Sequence, residues 1–398
     1  MEYFKPSQTL SELPTQFFAS LVQKVNASIA KGHDVINLGQ GNPDQPTPLS
    51  IVQTLQSAAS DPLHHKYPPF RGHSSLKEAV ALFYEKEYGV SLNPETEIAV
   101  LFGGKTGLVE LPLCFTEPGD TILVPDPGYP DYWSGVALAK AKMEMMPLLA
   151  SNQYLPDYTA ISEQTATKAK LMFLNYPNNP TGAVATKEFF DETVAFAKQH
   201  HILVCHDFAY GAIGFQNKPM SFLQTNGAKD IGIEIYTMSK TFNMAGWRIA
   251  FAVGNASVIE AIQLIQDHMY VSVFGAIQEA AKQALLHEQA SVRELVAMYA
   301  SRRQAFISAC HDIGWKVTAP EGSFFAWLSV PEGYTSQTFA DVLLEKAYVA
   351  VAPGIGFGEY GEGFVRVGLL HSEDRLQEAV KRIEALHIFN KDEAIQRK

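Results

Sequence analysis

Five short apolar runs, EIAVLF (97–102), TILVPD (121–126), KLMFLNYP (170–177), ILVCHD (202–207) and IEIYTMS (233–239), alternate with stretches of helical spacing. Strand-length apolar runs separated by helices call for parallel strands joined by crossovers, and so for an α/β domain. One crossover helix is legible in TKEFFDETVAFAKQHH, where Thr186 is placed to cap and Phe190, Val194 and Ala197 share a face. A longer helix is expected over 291–313, with Ser291 as N-cap and Gly314 as stop. Beyond it, SFFAWLSV and VAVAPG read as strands and SEDRLQEAVKRIEAL as a helix, a smaller α+β unit.

The chain has 398 residues and 46% hydrophobic content, enough for a large core and more than one domain. Its 31 Lys and Arg against 42 Asp and Glu give a net charge of −11, the wrong sign for a nucleic-acid or anionic-lipid binder. Any anion it holds therefore needs a local site. Cys114, Cys205 and Cys310 are widely separated and form no C-x-x-C pair, which fits a reducing cytoplasm better than a disulfide framework or a zinc site. The pairs His64-His65 and His200-His201 lack metal-ligand spacing, so no metal is expected. No apolar run approaches a membrane span, and MEYFKPSQTL lacks the pattern of a leader, so the mature chain is expected to start at Met1.

Chemistry is carried by a few constellations. SKTFNMAGWR (239–248) places Lys240 and Arg248 in an otherwise small and apolar stretch after a strand. A lysine in such surroundings suits covalent capture of a carbonyl compound as a Schiff base, because burial and a nearby cation favour its neutral, nucleophilic form. NYPNNPTG (175–182) ends in a turn whose Asn179-Pro180 step is open to a cis bond, and CHDFAYG puts Asp207 at the C-terminal edge of a sheet, where α/β folds bind ligands. FGGKTG (102–107) lies between strand and helix and offers backbone N–H groups to a phosphate. It is not a nucleotide P-loop, since G-x-x-x-x-G-K-T requires glycine where the chain has Ala99.

With these motifs in order, the chain resembles the class I/II aminotransferases, fold type I enzymes dependent on pyridoxal 5′-phosphate. The resemblance runs from INLGQGNPDQPTP (36–48) to GFVRVGLL (363–370), and its most specific marks are NPTG, SK followed by GWR, and the late arginine. It implies a large cofactor-binding domain over 46–285 with a mostly parallel seven-stranded sheet flanked by helices, and a small α+β domain from 1–45 and 286–398.

Carried over by resemblance, Lys240 is the lysine that holds the cofactor aldehyde and acts as base, and Arg248 holds the phosphate. Gly104, Lys105 and Thr106 match the phosphate loop through their backbone amides, and Thr237 and Ser239 match its hydroxyl donors. Tyr129 matches the aromatic stacked on the pyridine ring, Asp207 the partner of the ring nitrogen, and Asn179 and Tyr210 the groups bonded to the ring's phenolic oxygen. Arg366 and Gly41 match the groups that receive the substrate carboxylate. Tyr67 corresponds to a tyrosine sent across a homodimer interface to the neighbouring phosphate.

Phe17 and Phe18, with Tyr67 and Tyr129, suggest an apolar substrate pocket. The resemblance implies ping-pong transfer between amino acids and 2-oxo acids in the cytoplasm, with 4-methylthio-2-oxobutanoate, the oxo acid of methionine, as expected acceptor and glutamine or another amino acid as donor. Aromatic, branched-chain and LL-diaminopimelate transamination, β-elimination of cysteine conjugates, and a non-catalytic sensor domain are the alternatives.

Overall fold

The computed structural model describes residues 4–14 and 17–389. Twelve strands are present among them: β1 (Ile36–Asn37), β2 (Ile98–Leu101), β3 (Thr121–Asp126), β4 (Lys142–Pro147), β5 (Ala169–Asn175), β6 (Leu203–Asp207), β7 (Gly232–Thr237), β8 (Ala250–Gly254), β9 (Phe325–Ser329), β10 (Val349–Ala350), β11 (Ala352–Pro353) and β12 (Phe364–Gly368). Seven form one sheet in the order β2-β8-β7-β6-β5-β3-β4. It is parallel throughout except for β8, which runs antiparallel to both neighbours.

The period of two along each strand decides what lies on each face. Leu171 and Phe173 join Cys205, Ile233 and Ile235 in one apolar cluster, while Met172 and Leu174 join Val204 and Tyr236 in another. The first cluster includes Leu108 and Leu111 of the helix Gly104–Phe115, and the second Phe189, Phe190 and Val194 of the helix Lys187–His200. Thr186 caps the latter, its hydroxyl accepting from the Phe189 N–H. Both faces are thus covered, as near-continuous apolar strands require.

Two strands of the seven-stranded sheet lie outside the expected set. β4 reads KMEMMP, an edge strand with three exposed residues and no β-branched side chain, so its sequence carries no strand signal. β8 has an apolar sequence but follows β7 without a crossover helix, the feature that marks a parallel unit. The helix expected over 291–313 runs Gln289–Asp312 with Glu288, not Ser291, at its cap position, and Ser291 instead donates its hydroxyl to the Glu288 carboxylate at 2.7 Å. VAVAPG is not one strand: β10 pairs parallel with β1, and β11 pairs antiparallel with β12 in a three-stranded sheet with β9. Around these, Ile36, Leu38, Phe306, Cys310, Trp315, Leu328, Val365 and Leu376 form a further apolar cluster. Among the described residues, no helix is long and apolar enough to cross a membrane.

One polar knot lies within the second cluster. Glu234 and His206 are both fully buried; the carboxylate accepts from Tyr84 (2.8 Å), Ser221 (2.9 Å) and the Phe222 N–H (2.9 Å), and lies 2.8 Å from His206 Nδ1. Removing one member strands the rest without water. Glu234→Ala is expected to cost about 3–5 kcal/mol, measured by denaturant unfolding of the purified protein.

Candidate active site

β5 and β6 each end in a polar residue, and in register they place Asn175 beside Asp207. Asn175 donates through Nδ2 to the Asp207 carbonyl (2.8 Å) and accepts through Oδ1 from the Asn179 N–H (2.7 Å), so the turn after β5 is built onto the end of β6. The Asn179–Pro180 bond is cis, as are Asp126–Pro127 and Tyr176–Pro177. Asp207 Oδ2 accepts from Tyr132 (2.8 Å) and Oδ1 from the Ala209 N–H (3.2 Å). Burial pushes this carboxyl up to about 6, against the pull of the Tyr132 hydrogen bond and the nearby His206 and Lys240. At neutral pH it remains largely ionised.

After β7 the chain makes one short helix, Met238–Thr241, with Thr237 at its cap. Thr237 Oγ1 accepts from the Ser239 N–H (3.2 Å) and donates to Ser239 Oγ (2.9 Å), and both residues are buried. That turn projects Lys240, whose Nζ donates to the Gly41 carbonyl at 2.8 Å. Burial, with Arg366 and then Arg248 adding positive potential, brings its amine down to about 8; Asp207 opposes them.

Arg248 follows in the left-handed region at φ 56° and bonds the Ala245 carbonyl (2.8 Å). Its guanidinium lies over bare Gly103, the cap of the helix Gly104–Phe115, where a Cβ would come within 2.2 Å of Nη2. Gly103 is itself at φ 85°, so side chains are disfavoured there twice over. Gly103→Ala is expected to displace Arg248 and weaken binding of a phosphate-bearing cofactor about tenfold, since one charge-assisted pair is worth about 1.5–3 kcal/mol; titration of apoprotein with the cofactor measures it.

Arg366, on β12, is buried, yet its partners are neutral: Nη1 donates to Asn179 Oδ1 (2.8 Å) and Nη2 to the Gly39 carbonyl (2.9 Å). It has no carboxylate partner among the described residues, and its Nε is buried with no hydrogen bond. Aromatic rings hold it in place, Phe325 at 4.0 Å, Phe357 at 4.7 Å and Phe18 at 5.4 Å from Cζ. Gly41 lies against Phe325 and 3.7 Å, measured from a built Cβ, from Arg366 Nη2.

These groups line one cleft of about 410 Å³, together with Tyr129, Tyr210, Gly104, Lys105 and Phe18. Three sequence-predicted residues do not line it. Thr106 turns back into the helix start, its N–H (3.2 Å) and hydroxyl (2.8 Å) both given to the Gly103 carbonyl. Phe17 packs against Gly356 and lines a smaller depression beside Tyr129. Tyr67 stands 87% exposed on the single chain, away from the cleft. Lys105 turns its side chain to Asp131, 2.9 Å away, leaving its backbone at the helix N-terminus.

Conversely, Leu21, Val22, Asn175 and Phe325 line the cleft without having been singled out, and Tyr132 holds Asp207 from behind. Tyr132 lies in the helix Asp131–Leu138, three residues after Tyr129, and the two rings meet edge-on at 5.8 Å.

The cleft fits pyridoxal phosphate on its own chemistry. An amine held near 8 suits an aldehyde, the open helix N-terminus beside Arg248 suits a phosphate, and a buried carboxylate suits a protonated ring nitrogen. The Tyr210 ring packs edge-on against Phe324 and Phe325, and burial raises its hydroxyl well above the usual phenol range, so it serves as a neutral donor.

Comparisons with known proteins follow the same lines. The family model "Aminotransferase class I and II" matches residues 33–383. The chain is 69% identical over 387 residues, 97% of each chain, to the L-glutamine–4-(methylsulfanyl)-2-oxobutanoate aminotransferase of Bacillus subtilis. It is 44% identical to an LL-diaminopimelate aminotransferase of Desulforudis audaxviator, over 96% of this chain and 97% of the relative. The solved apo structure of BacF from B. subtilis superposes with a TM-score of 0.95 at 49% identity, covering 98% of this chain and all of the other.

Proposed function

We propose, because this chain belongs to the class I and II aminotransferases, that its physiological reaction joins methionine and 4-methylthio-2-oxobutanoate, with glutamine or another amino acid as the amino donor. It is a transaminase dependent on pyridoxal phosphate and has the α/β architecture of fold type I. The substrate reading rests on one observation: Arg366, a buried cation with only neutral partners, shares its cleft with the apolar Phe18, Leu21 and Val22. An α-carboxylate would complete the first, and an unbranched thioether side chain suits the second. The 69% identity to the B. subtilis enzyme supports the same choice.

The residue roles follow from this reading. Arg248 and the amides of Gly104 and Lys105 would hold the phosphate, Tyr129 would cover the ring, and Asn179 and Tyr210 would bond its phenolic oxygen. When bound, the cofactor supplies an aldehyde that exchanges amines and a ring that accepts the electrons left at the substrate Cα. Asp207 keeps a proton on the ring nitrogen by ionic pairing. Arg366 orients the substrate so that its Cα–H faces Lys240, and Lys240 Nζ takes and returns that proton. The apolar walls exclude water from the exchange. A homodimer in which Tyr67 reaches the neighbouring phosphate, in the cytoplasm, completes the reading, and the exposure of Tyr67 supports it.

We also take 46–285 as the cofactor-binding part and 1–45 with 286–398 as the smaller part. The apolar cluster shared by Ile36, Leu38 and the C-terminal strands supports this division, though residues 1–3, 15–16 and 390–398 lie outside the described residues.

Two measurements check the reading. Turnover of a panel of 2-oxo acids with glutamine should be fastest for 4-methylthio-2-oxobutanoate, and no turnover of it would remove the substrate assignment. Capture of pyridoxal phosphate by apoprotein requires the neutral amine of Lys240, so its rate should rise about tenfold per unit below pH 8 and level off above it. A midpoint near the ordinary lysine value would contradict the buried, cation-flanked setting.

A further inference from the structure

Asp126 ends β3 three residues before Tyr129 and takes no part in the chemistry above, yet it is 1% exposed. Both carboxylate oxygens are used by one distant segment: Oδ2 accepts from the Glu359 N–H (3.0 Å) and Oδ1 from the Tyr360 N–H (3.1 Å). The adjoining Gly128 N–H donates to the Phe357 carbonyl at 2.8 Å. Gly358 stands between these contacts at φ 132°, and a Cβ there would lie 2.0 Å from Asp126 Oδ1. Burial raises the Asp126 carboxyl to about 6 while the two N–H groups hold it down, so the ionised form persists here because of that pairing. The paired segment carries Phe357, whose ring lies under the Arg366 guanidinium and against Phe18.

The structure assigns Asp126 a positioning role: its carboxylate latches the 357–360 segment to the loop that carries Tyr129, and so fixes Arg366, through Phe357, for the substrate α-carboxylate. This rests on the reading of Arg366 given above. It does not touch substrate or cofactor itself. Its effect is therefore on carboxylate recognition rather than on proton transfer at Lys240.

The test uses the cofactor-loaded enzyme and 4-(methylthio)butanoate, which has the carboxylate and thioether but no reactive amino or oxo group. Asp126→Asn keeps the shape but sets an NH2 against one of the two N–H donors, and Gly358→Ala disturbs the same contact from the other side. Each is expected to raise the calorimetric Kd of 4-(methylthio)butanoate about tenfold, the effect of one misplaced charge-assisted pair. KM for methionine should rise with little change in kcat, and the absorbance of the bound cofactor should persist. Reaction with 3-(methylthio)propylamine, which lacks the carboxylate, should proceed as in the parent enzyme.

Arg366→Ala serves as the control. If it leaves 4-(methylthio)butanoate binding intact, carboxylate recognition by Arg366 fails, and the latch role with it. If it weakens binding but the other two variants do not, or if they slow the propylamine equally, the latch role alone is overturned. Should Asp126→Asn fail to fold, Gly358→Ala decides the matter.

Discussion

Replacing Lys240 with alanine is expected to lower kcat by at least about 10⁴-fold, the upper range for a lost acid–base group, because on the proposed reading the same side chain also holds the cofactor covalently. No neighbour can substitute for it. Asp207 would serve the ring nitrogen by staying charged, and the Tyr210 hydroxyl is pushed away from ionisation by burial. The variant should bind pyridoxal phosphate without the absorbance of the lysine-bound form, and exogenous amines should restore part of the rate. Single-turnover measurements with methionine check both points. A variant that keeps even a tenth of the parent rate would remove Lys240 from the mechanism.

Asp207→Asn separates electrostatics from attachment. The amide has the shape of the carboxylate and can still meet Tyr132 and the Ala209 N–H in part, but it cannot hold a proton on the ring nitrogen by charge. A loss of about 10²–10³ in kcat/KM is expected, the range for removing one preorganised electrostatic contact, with the lysine-bound absorbance retained.

Stability should move the other way. The Asp207 carboxyl is raised in the fold, so its ionisation opposes folding as pH rises from the unfolded value near 4 through about 6, and the full cost is present above that. The neutral amide escapes it, and Asp207→Asn apoprotein should be more stable than the parent by on the order of 1–3 kcal/mol at pH 7. Urea unfolding at pH 5 and pH 8 measures this, with the advantage shrinking at the lower pH. Equal stability at both values would mean that the site compensates the charge without its cofactor.

The parts of this fold that the sequence makes legible are those where one requirement acts alone. β3, β5, β6 and β7 are buried on both faces, so each reads as a mainly apolar run, and the polar residue that ends β5 or β6 lies at its C-terminal edge. β4 is an edge strand with exposed charges, and nothing local distinguishes it from a loop. Lys240 and Arg248 could be singled out as charges in apolar company and Asp207 by its place at the end of a strand, whereas Arg366 stands out only through the family resemblance. Tyr132 could not, since a tyrosine among aromatics looks like packing until Asp207 is brought to its hydroxyl.

Thr106 and Phe17 turn away from the cleft for a related reason: a helix start turns successive residues by about 100°, so neighbours within one motif differ in direction. Gly103 and Gly358 show the remaining limit: each is bare because a side chain from a remote segment occupies the space its Cβ would need.

The antiparallel setting of β8 has a consequence for how the two cations came to be neighbours. Thr237 on β7 faces Ala250 on β8, so the intervening chain leaves and re-enters the sheet on one rim. A crossover to a parallel strand would have carried residue 250 to the opposite rim and Arg248 with it. Instead the ladder acts as a ruler, holding both ends of a short tether and setting the span between the ammonium and the guanidinium. Loop closure grows only slowly more costly with length, about 0.6 kcal/mol per doubling, so a lengthened tether would leave the sheet intact while losing the span.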